Sequence, residues 1–188
     1  MIFDLHVSDR KHTVVVGTHG KEPSDLPTTV GGISLNVSPL SLIFLHAAAR
    51  PAANKESFRL IWDQHDTADL LGWYEVVYED GFVTTIPIRY GVDILEWDWQ
   101  QRVDAPGNTS ARYCYSAGAA SLGTEEHPIT FFAFEWMNPR IGKVIRELRL
   151  SGTSGFRGGS SEFDNSWGPV IETNAIMLRA LSFVRMRS

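Results

Sequence analysis

The strongest constraint on the fold of this chain is a hairpin signal near its middle. Residues 72–79 and 82–88 are rich in β-branched and aromatic side chains, and Asp80-Gly81 stands between them. Asp-Gly is favoured in two-residue hairpin turns because both positions of such a turn need positive φ. The pattern predicts an antiparallel pair of strands. Pro87 then belongs to an edge or an unpaired end, because proline cannot donate to a β-ladder.

Short β-prone runs separated by turn residues account for most of the remaining chain. Residues 129–136 and 143–150 predict a second hairpin, with Asn138-Pro139 in its turn and Trp136 facing the core. Residues 42–45 are apolar on both faces, as in a central strand that is covered on both sides. Further strands are predicted at residues 1–7, 12–17, 33–37, 41–48, 111–116 and 175–184.

This pattern, with no convincing helix, predicts an all-β fold: a two-sheet antiparallel β-sandwich of the jelly-roll type. The chain has 188 residues, which fits a single domain, 1–188, with a substantial core. Residues 153–169 are rich in glycine and serine and resemble a linker. Because strand signals lie on both sides of this stretch, we interpret it as a long loop within the domain.

Charge and cysteine content exclude several classes of function. A formal net charge of -5 gives no electrostatic reason to expect a nucleic-acid partner, which needs a basic surface. No apolar run reaches the ~18 residues of a membrane span. The single cysteine, Cys114, excludes an internal disulfide. Residues 1–6 lack the features of a signal peptide. Two locations stay open: the cytoplasm, or the periplasm or exterior if this is a domain cut from a longer exported chain.

Three long connections are expected to meet at one end of the sandwich. If successive strands run antiparallel, the Asp80-Gly81 turn marks one end, and connections 18–32, 49–71 and 90–110 lie at the other. Long loops that gather on a rigid scaffold often carry binding residues. The candidate binding residues in these loops are Trp62, Asp63, His65, Asp66, Asp93, Trp97, Trp99 and Arg102.

These side chains suit a carbohydrate ligand. A pyranose presents an apolar C–H face and a belt of hydroxyl groups. An aromatic plate surrounded by carboxylates and guanidinium groups is complementary to both parts. The alternative interpretation is structural: the tryptophans cap the core under the loops, and the acids face solvent.

Catalysis and metal binding have weaker support in the sequence. Acids that are neighbours in sequence could serve a glycosidase, although nothing shows that they flank a cleft. The pairs concerned are Asp63/Asp66, Glu96/Asp98 and Glu125/Glu126. No zinc-ligand spacing is present, and no cofactor is predicted. A structural calcium stays open, because the carboxylates of Asp63, Asp66 and Asp69 offer the oxygen ligands that calcium prefers. Glu162, Asp164 and Asn165 form a second possible set of ligands.

Several stretches together resemble the galactose-binding-like jelly-roll domains that are attached to bacterial glycoside hydrolases. The stretches are LIFLHA (42–47), GWYEVVYEDG (72–81), IPI (86–88), YGVDI (90–94), EWMNPR (135–140) and NAI (174–176). The resemblance implies a non-catalytic carbohydrate-binding accessory domain. Its partners would be a sugar and either a catalytic glycoside hydrolase domain or a second copy of the chain. Two alternatives stay open: a packing or oligomerisation domain without a sugar ligand, and a glycoside hydrolase that uses two loop carboxylates.

Overall fold

The computed structural model shows an all-β architecture. It describes residues 13–18, 25–48, 70–89, 93–94, 97, 112–117, 129–153 and 174–185. Among these residues no helix is long and apolar enough to span a membrane.

The described residues form nine strands, which we number in chain order. Their bounds are β1 Val14–Thr18, β2 Thr29–Val37, β3 Ser41–Ala48, β4 Leu70–Tyr78, β5 Val83–Arg89, β6 Arg112–Ala117, β7 Ile129–Met137, β8 Ile145–Gly152 and β9 Asn174–Val184.

The strands form two antiparallel sheets. The five-stranded sheet has the order β1-β9-β3-β7-β6, and the four-stranded sheet has the order β2-β8-β4-β5. Every described pairing is antiparallel. The predicted all-β, two-sheet antiparallel β-sandwich is therefore confirmed. The jelly-roll connectivity and the extent of one domain over 1–188 stay predictions, and the strand predicted at 1–7 lies outside the described residues.

Strand β3 lies at the centre of the five-stranded sheet, between β9 and β7. All eight of its residues are buried, which confirms the interpretation of residues 42–45 as a strand covered on both faces. Phe44 faces the interior of the sandwich and belongs to the main core cluster. Leu45 and Ala47 face the opposite way and form a second cluster with Phe131.

Aromatic stacking joins the two sheets across the core. The rings of Phe44 on β3 and Tyr74 on β4 are stacked, with centroids 4.2 Å apart. The ring of Phe134 on β7 also stacks with that of Phe44, with centroids 6.0 Å apart. Trp136 packs against the same core, as predicted. Aromatic pairs of this kind add about 0.5–1.5 kcal/mol beyond the free energy of burying their area.

The β4–β5 hairpin is present, but its turn is longer than the predicted two residues. The Gly81 N–H donates to the Tyr78 carbonyl, and the Tyr78 N–H donates to the Phe82 carbonyl. Gly81 has a φ of 85°, whereas Asp80 is not among the described residues with positive φ. This is the three-residue arrangement in which a type I turn is followed by a left-handed glycine. The Asp80 carboxylate accepts from the Phe82 N–H at 3.2 Å and supports this geometry.

Strand β2 begins at Thr29, earlier than the predicted 33, because two glycines interrupt the pattern without ending the strand. The register with β8 shifts between Val30 and Ile33, and Gly32 has a φ of 76°. A glycine in the left-handed region is the usual way to build such a bulge. Periodicity alone does not reveal a strand that contains a bulge.

Asn138 organises the end of the sandwich that carries the short turns, which we call the turn end. Its side chain is buried and accepts a hydrogen bond from the Tyr78 hydroxyl at 2.6 Å. Its amide nitrogen donates to the Pro39 carbonyl at 2.9 Å, and its side-chain oxygen also accepts from the Arg140 N–H at 2.9 Å. The prediction of Asn138 as a turn residue is confirmed, and the turn connects both sheets.

We expect Asn138→Ala to lower the free energy of unfolding by about 2–4 kcal/mol. The substitution leaves the buried Tyr78 hydroxyl and the Pro39 carbonyl without their partner, and each unsatisfied buried group costs about 1–3 kcal/mol. Urea denaturation measures the change. Met137→Ala is the matched control, since the side chain of Met137 is 64% exposed. Equal effects for the two substitutions would contradict this role of Asn138.

Gly72 permits the close approach of β4 and β8, and we expect Gly72→Ala to prevent stable folding. A Cβ at position 72 would lie 2.1 Å from the Ser151 carbonyl oxygen and 2.7 Å from Ile176 Cδ1. Gly31→Ala is the matched control on the same sheet, because its Cβ would meet Arg149 Cγ at an ordinary 3.5 Å. Thermal unfolding of both variants tests this, and a Gly72→Ala protein as stable as the Gly31→Ala protein would contradict it.

Candidate functional site

The strands that border connections 18–32 and 49–71 end on the same side of the molecule, which we call the loop end, and β5 ends there as well. Ala48 pairs with Ile176, and Gly17 pairs with Ala175. In the other sheet, Leu70 pairs with Arg89 at the corresponding end. The two sheets meet there, since the position of a Cβ on Gly72 would contact Ile176.

The third connection, 90–110, differs from the prediction. Ala117 pairs with Ile129 at the loop end, and Arg112 pairs with Ala133 farther from it, so β6 runs in the same direction as β5 and begins away from the loop end. The expected alternation is wrong for this connection, because β5 and β6 belong to different sheets and need not be antiparallel.

A buried polar cluster closes the core at the loop end. His46 is fully buried, and its Nε2 lies 2.9 Å from the Asp93 carbonyl oxygen. Because a carbonyl only accepts, Nε2 carries the proton and donates it to this oxygen. The Tyr74 hydroxyl then donates to His46 Nδ1 at 2.9 Å. The Asp93 carboxylate accepts from the Arg89 N–H, also at 2.9 Å.

Burial sets the ionisation of this cluster. Desolvation lowers the pKa of His46 from 6.5 to about 4, although the hydrogen bond to the Asp93 carbonyl opposes the shift. Desolvation also raises the pKa of Tyr74 well above 10. Both side chains are therefore neutral at pH 7, as buried titratable groups without a counter-ion tend to be.

The connection after β5 crosses from the core to the outside of the five-stranded sheet. Ile94 is fully buried in the main core. Three residues later the Trp97 N–H donates to the Ala48 carbonyl at 2.9 Å. Trp97 is half-buried and packs against the cluster of Leu45, Ala47 and Phe131. The chain thus passes over the end of β3.

Two of the sequence-predicted site residues, Asp93 and Trp97, are among the described residues, and both lie at the loop end. Their contacts support the fold, as given above, and any ligand contact stays a prediction. The other candidates, Trp62, Asp63, His65, Asp66, Trp99 and Arg102, lie outside the described residues. So do the acids proposed as catalytic pairs or calcium ligands.

A second candidate site lies on the outer surface of the four-stranded sheet. It contains Trp73, Glu75, Glu147, Arg149 and the hydroxyl pair Thr29–Ser151, and we call it the Trp73 face. The indole N–H of Trp73 donates to Glu75 Oε1 at 3.2 Å. The hydroxyl groups of Thr29 and Ser151 lie 3.1 Å apart. Strand pairing places Ser151 opposite Trp73, and Thr29 opposite Ser151.

The charged groups of the Trp73 face form one connected network. Arg149 Nε donates to Glu147 Oε1 at 2.7 Å, and its Nη1 lies 3.6 Å from Glu75 Oε2. Glu147 Oε1 also accepts from the Gly32 N–H at 3.1 Å. The hydrogen bond from Arg149 is the main reason that the pKa of Glu147 is lowered, so this carboxylate stays ionised at neutral pH. Such a network holds the side chains around the indole in defined positions.

The sequence interpretation missed the Trp73 face. A signal was present: Trp73 and Glu75 alternate with the inward-facing Tyr74 and Val76, so they had to share the outer surface. The position of Arg149 opposite Glu75 depends on strand pairing, which is not visible in one sequence.

No group of three or more potential metal ligands occurs among the described residues. Comparison of the chain with protein-family models finds no match, and neither curated proteins nor solved structures give one. The resemblance to galactose-binding-like domains therefore stays a prediction from the sequence alone.

We expect stability to decrease by about 3 kcal/mol between pH 6.5 and pH 4 because of His46 alone. The folded-state pKa is about 4, below the unfolded value of 6.5, so in this window the unfolded chain binds a proton that the folded chain does not. The contribution is complete above pH 6.5, falls as the pH decreases and levels off below pH 4. Urea unfolding at a series of pH values measures it.

The control is His46→Gln. The pH dependence of its stability comes from every other titrating group, so subtracting it from that of the wild type leaves the contribution of His46. We expect the slope between pH 4 and pH 6.5 to be smaller in this variant than in the wild type. Identical slopes would contradict the neutral, buried state of His46. If His46→Gln does not fold, the chemical shifts of the His46 ring nitrogens in the wild type identify the same Nε2–H tautomer directly.

Proposed function

We propose that this chain is a non-catalytic carbohydrate-binding domain, and that the Trp73 face is a surface on which it holds a glycan. The observation that carries the proposal is the indole of Trp73 on a sheet surface, beside the Glu75 and Glu147 carboxylates and the exposed Thr29 hydroxyl. An aromatic plate with a few fixed polar groups around it is a common composition for a ligand site.

The Trp73 face is complementary to both parts of a pyranose. The half-buried indole offers an apolar plate to the C–H face of the ring. Carboxylate oxygens of Glu75 and Glu147 accept hydrogen bonds from sugar hydroxyls, and bonds to an ionised acceptor are the stronger kind. Thr29, the exposed member of the Thr29–Ser151 pair, has a hydroxyl group that both donates and accepts, and the buried Ser151 hydroxyl holds it in place. All of these groups stand on paired strands, which gives the site a rigid support.

The Glu147 carboxylate supports binding over hydrolysis. A glycosidase needs one carboxylic acid with a raised pKa to protonate the leaving group. Arg149 and the Gly32 N–H instead lower the pKa of Glu147. We therefore assign Glu147 to hydrogen-bond acceptance. A catalytic glycoside hydrolase neighbour, which the sequence resemblance implies, would supply the chemistry in this proposal.

We expect Trp73→Ala to weaken glycan binding by roughly 10- to 100-fold, which corresponds to about 1–3 kcal/mol for a lost stacking plate and its hydrogen bonds. A glycan array identifies the ligand, and calorimetric titration measures the change. Trp73→Phe should keep most of the affinity, because the plate remains. Phe82→Ala, at the turn end, is the control and should bind like the wild type.

The same titration tests the loop-end prediction. Trp97→Ala and Trp99→Ala should have the larger effect if the sugar sits among the long loops. Loss of binding in those variants with full binding in Trp73→Ala would move the site from the sheet face to the loop end. A glycan array on which no sugar binds would refute both locations and the proposed function.

A packing domain is the second candidate function, because apolar side chains are exposed at the turn end. Met137, Ile141 and Phe82 are 64%, 56% and 52% exposed. Apolar exposure concentrated in one region marks many protein–protein contacts. With a second copy of the chain as partner, sedimentation equilibrium would show a dimer that Phe82→Ser and Ile141→Ser dissociate. A wild-type monomer at all concentrations would contradict this candidate.

A further inference from the structure

We infer that the Trp73 face selects neutral glycans against acidic ones, an inference that rests on the proposed carbohydrate binding. Among the described residues, the charge nearest to the indole is the Glu75 carboxylate, which is hydrogen-bonded to it at 3.2 Å. A sugar stacked on Trp73 therefore places its substituents beside an anion.

The cation of this face is already engaged by protein carboxylates. Arg149 Nε donates to Glu147 at 2.7 Å, and Nη1 lies 3.6 Å from Glu75. A uronate would have to compete with two carboxylates for this guanidinium. The indole N–H is also taken, by Glu75. Next to the indole, the face offers hydrogen-bond acceptors. Sugar hydroxyl groups can donate to them, whereas a ligand carboxylate has no proton to donate.

The other charges on the described strands of this sheet do not reverse this balance. Strand β2 carries no charged residue. On β5, Arg89 pairs with Leu70 at the end of the strand, whereas Trp73 pairs with Pro87. On β8, Arg146 is exposed and adjoins Glu147, and its charge helps to lower the pKa of that carboxyl. Neither arginine is in the direct hydrogen-bonded network of the indole, which consists of Glu75, Arg149 and Glu147.

The test uses pairs of oligosaccharides that have the same linkage and differ only in oxidation of C6 to a carboxylate. The comparison uses the pair with the highest affinity for the protein. At low ionic strength we expect its neutral member to bind about tenfold more tightly than its uronic member. High salt should narrow the ratio, because screening weakens the repulsion between ligand and Glu75.

Glu75→Gln should reduce the preference to about threefold or less, since the nearest like charge is gone. Arg89→Gln is the matched control and should leave the ratio unchanged. Trp73→Ala should weaken both members of the pair, which shows that the preference belongs to this face.

Equal or tighter binding of the uronic member would overturn the neutral preference and leave carbohydrate binding standing. The inference would also be overturned if Arg89→Gln changed the affinity ratio more than Glu75→Gln does. The same holds if Trp73→Ala kept both the full affinity and the preference for the neutral sugar. Absence of binding to either member of every pair would overturn the proposed function together with this inference.

Discussion

Burial of β3 on both faces is the constraint on which the rest of the structure depends. A strand without a solvent-exposed face needs a neighbour on each edge and a layer on each side, because buried backbone groups must be paired. Strands β9 and β7 supply the edges. The four-stranded sheet supplies one layer through Tyr74, which stacks on Phe44. On the other side, Trp97 packs against the outer cluster that includes Leu45.

Two inward-facing tyrosines of β4 connect this core to the two ends of the sandwich. Tyr74 donates to His46 at the loop end, and Tyr78 donates to Asn138 at the turn end. In each case the ring fills the core while the hydroxyl group satisfies a buried polar partner, which is the division of roles that suits a buried tyrosine. Both tyrosine hydroxyl groups therefore have a neutral partner, the His46 ring at one end and the Asn138 amide at the other.

Local patterns in the sequence were sufficient to predict the elements of the fold. The alternation in β4 and the apolar run of β3 led to strands close to the observed ones, and β3 itself was predicted with its observed bounds, Ser41–Ala48. Non-local geometry was harder to predict. The early start of β2 depends on a bulge at Gly32, and the partner of the Asp80 carboxylate is Arg140, which lies sixty residues away in the sequence and binds it at 2.7 Å. The Trp73 face depends on which strand pairs with β4, and the alternation of one strand does not contain that information.

The borders of the four-stranded sheet have a consequence for how the molecule meets others of its kind. Along β5, Pro87 interrupts the row of amide donors. Along β2, two register shifts and the positive φ of Gly32 and Asn36 bend the backbone away from a straight ladder. Neither border offers a regular template for an incoming strand. Association through this sheet must therefore proceed by side chains on its surface, and the protein is protected there from runaway edge-to-edge aggregation.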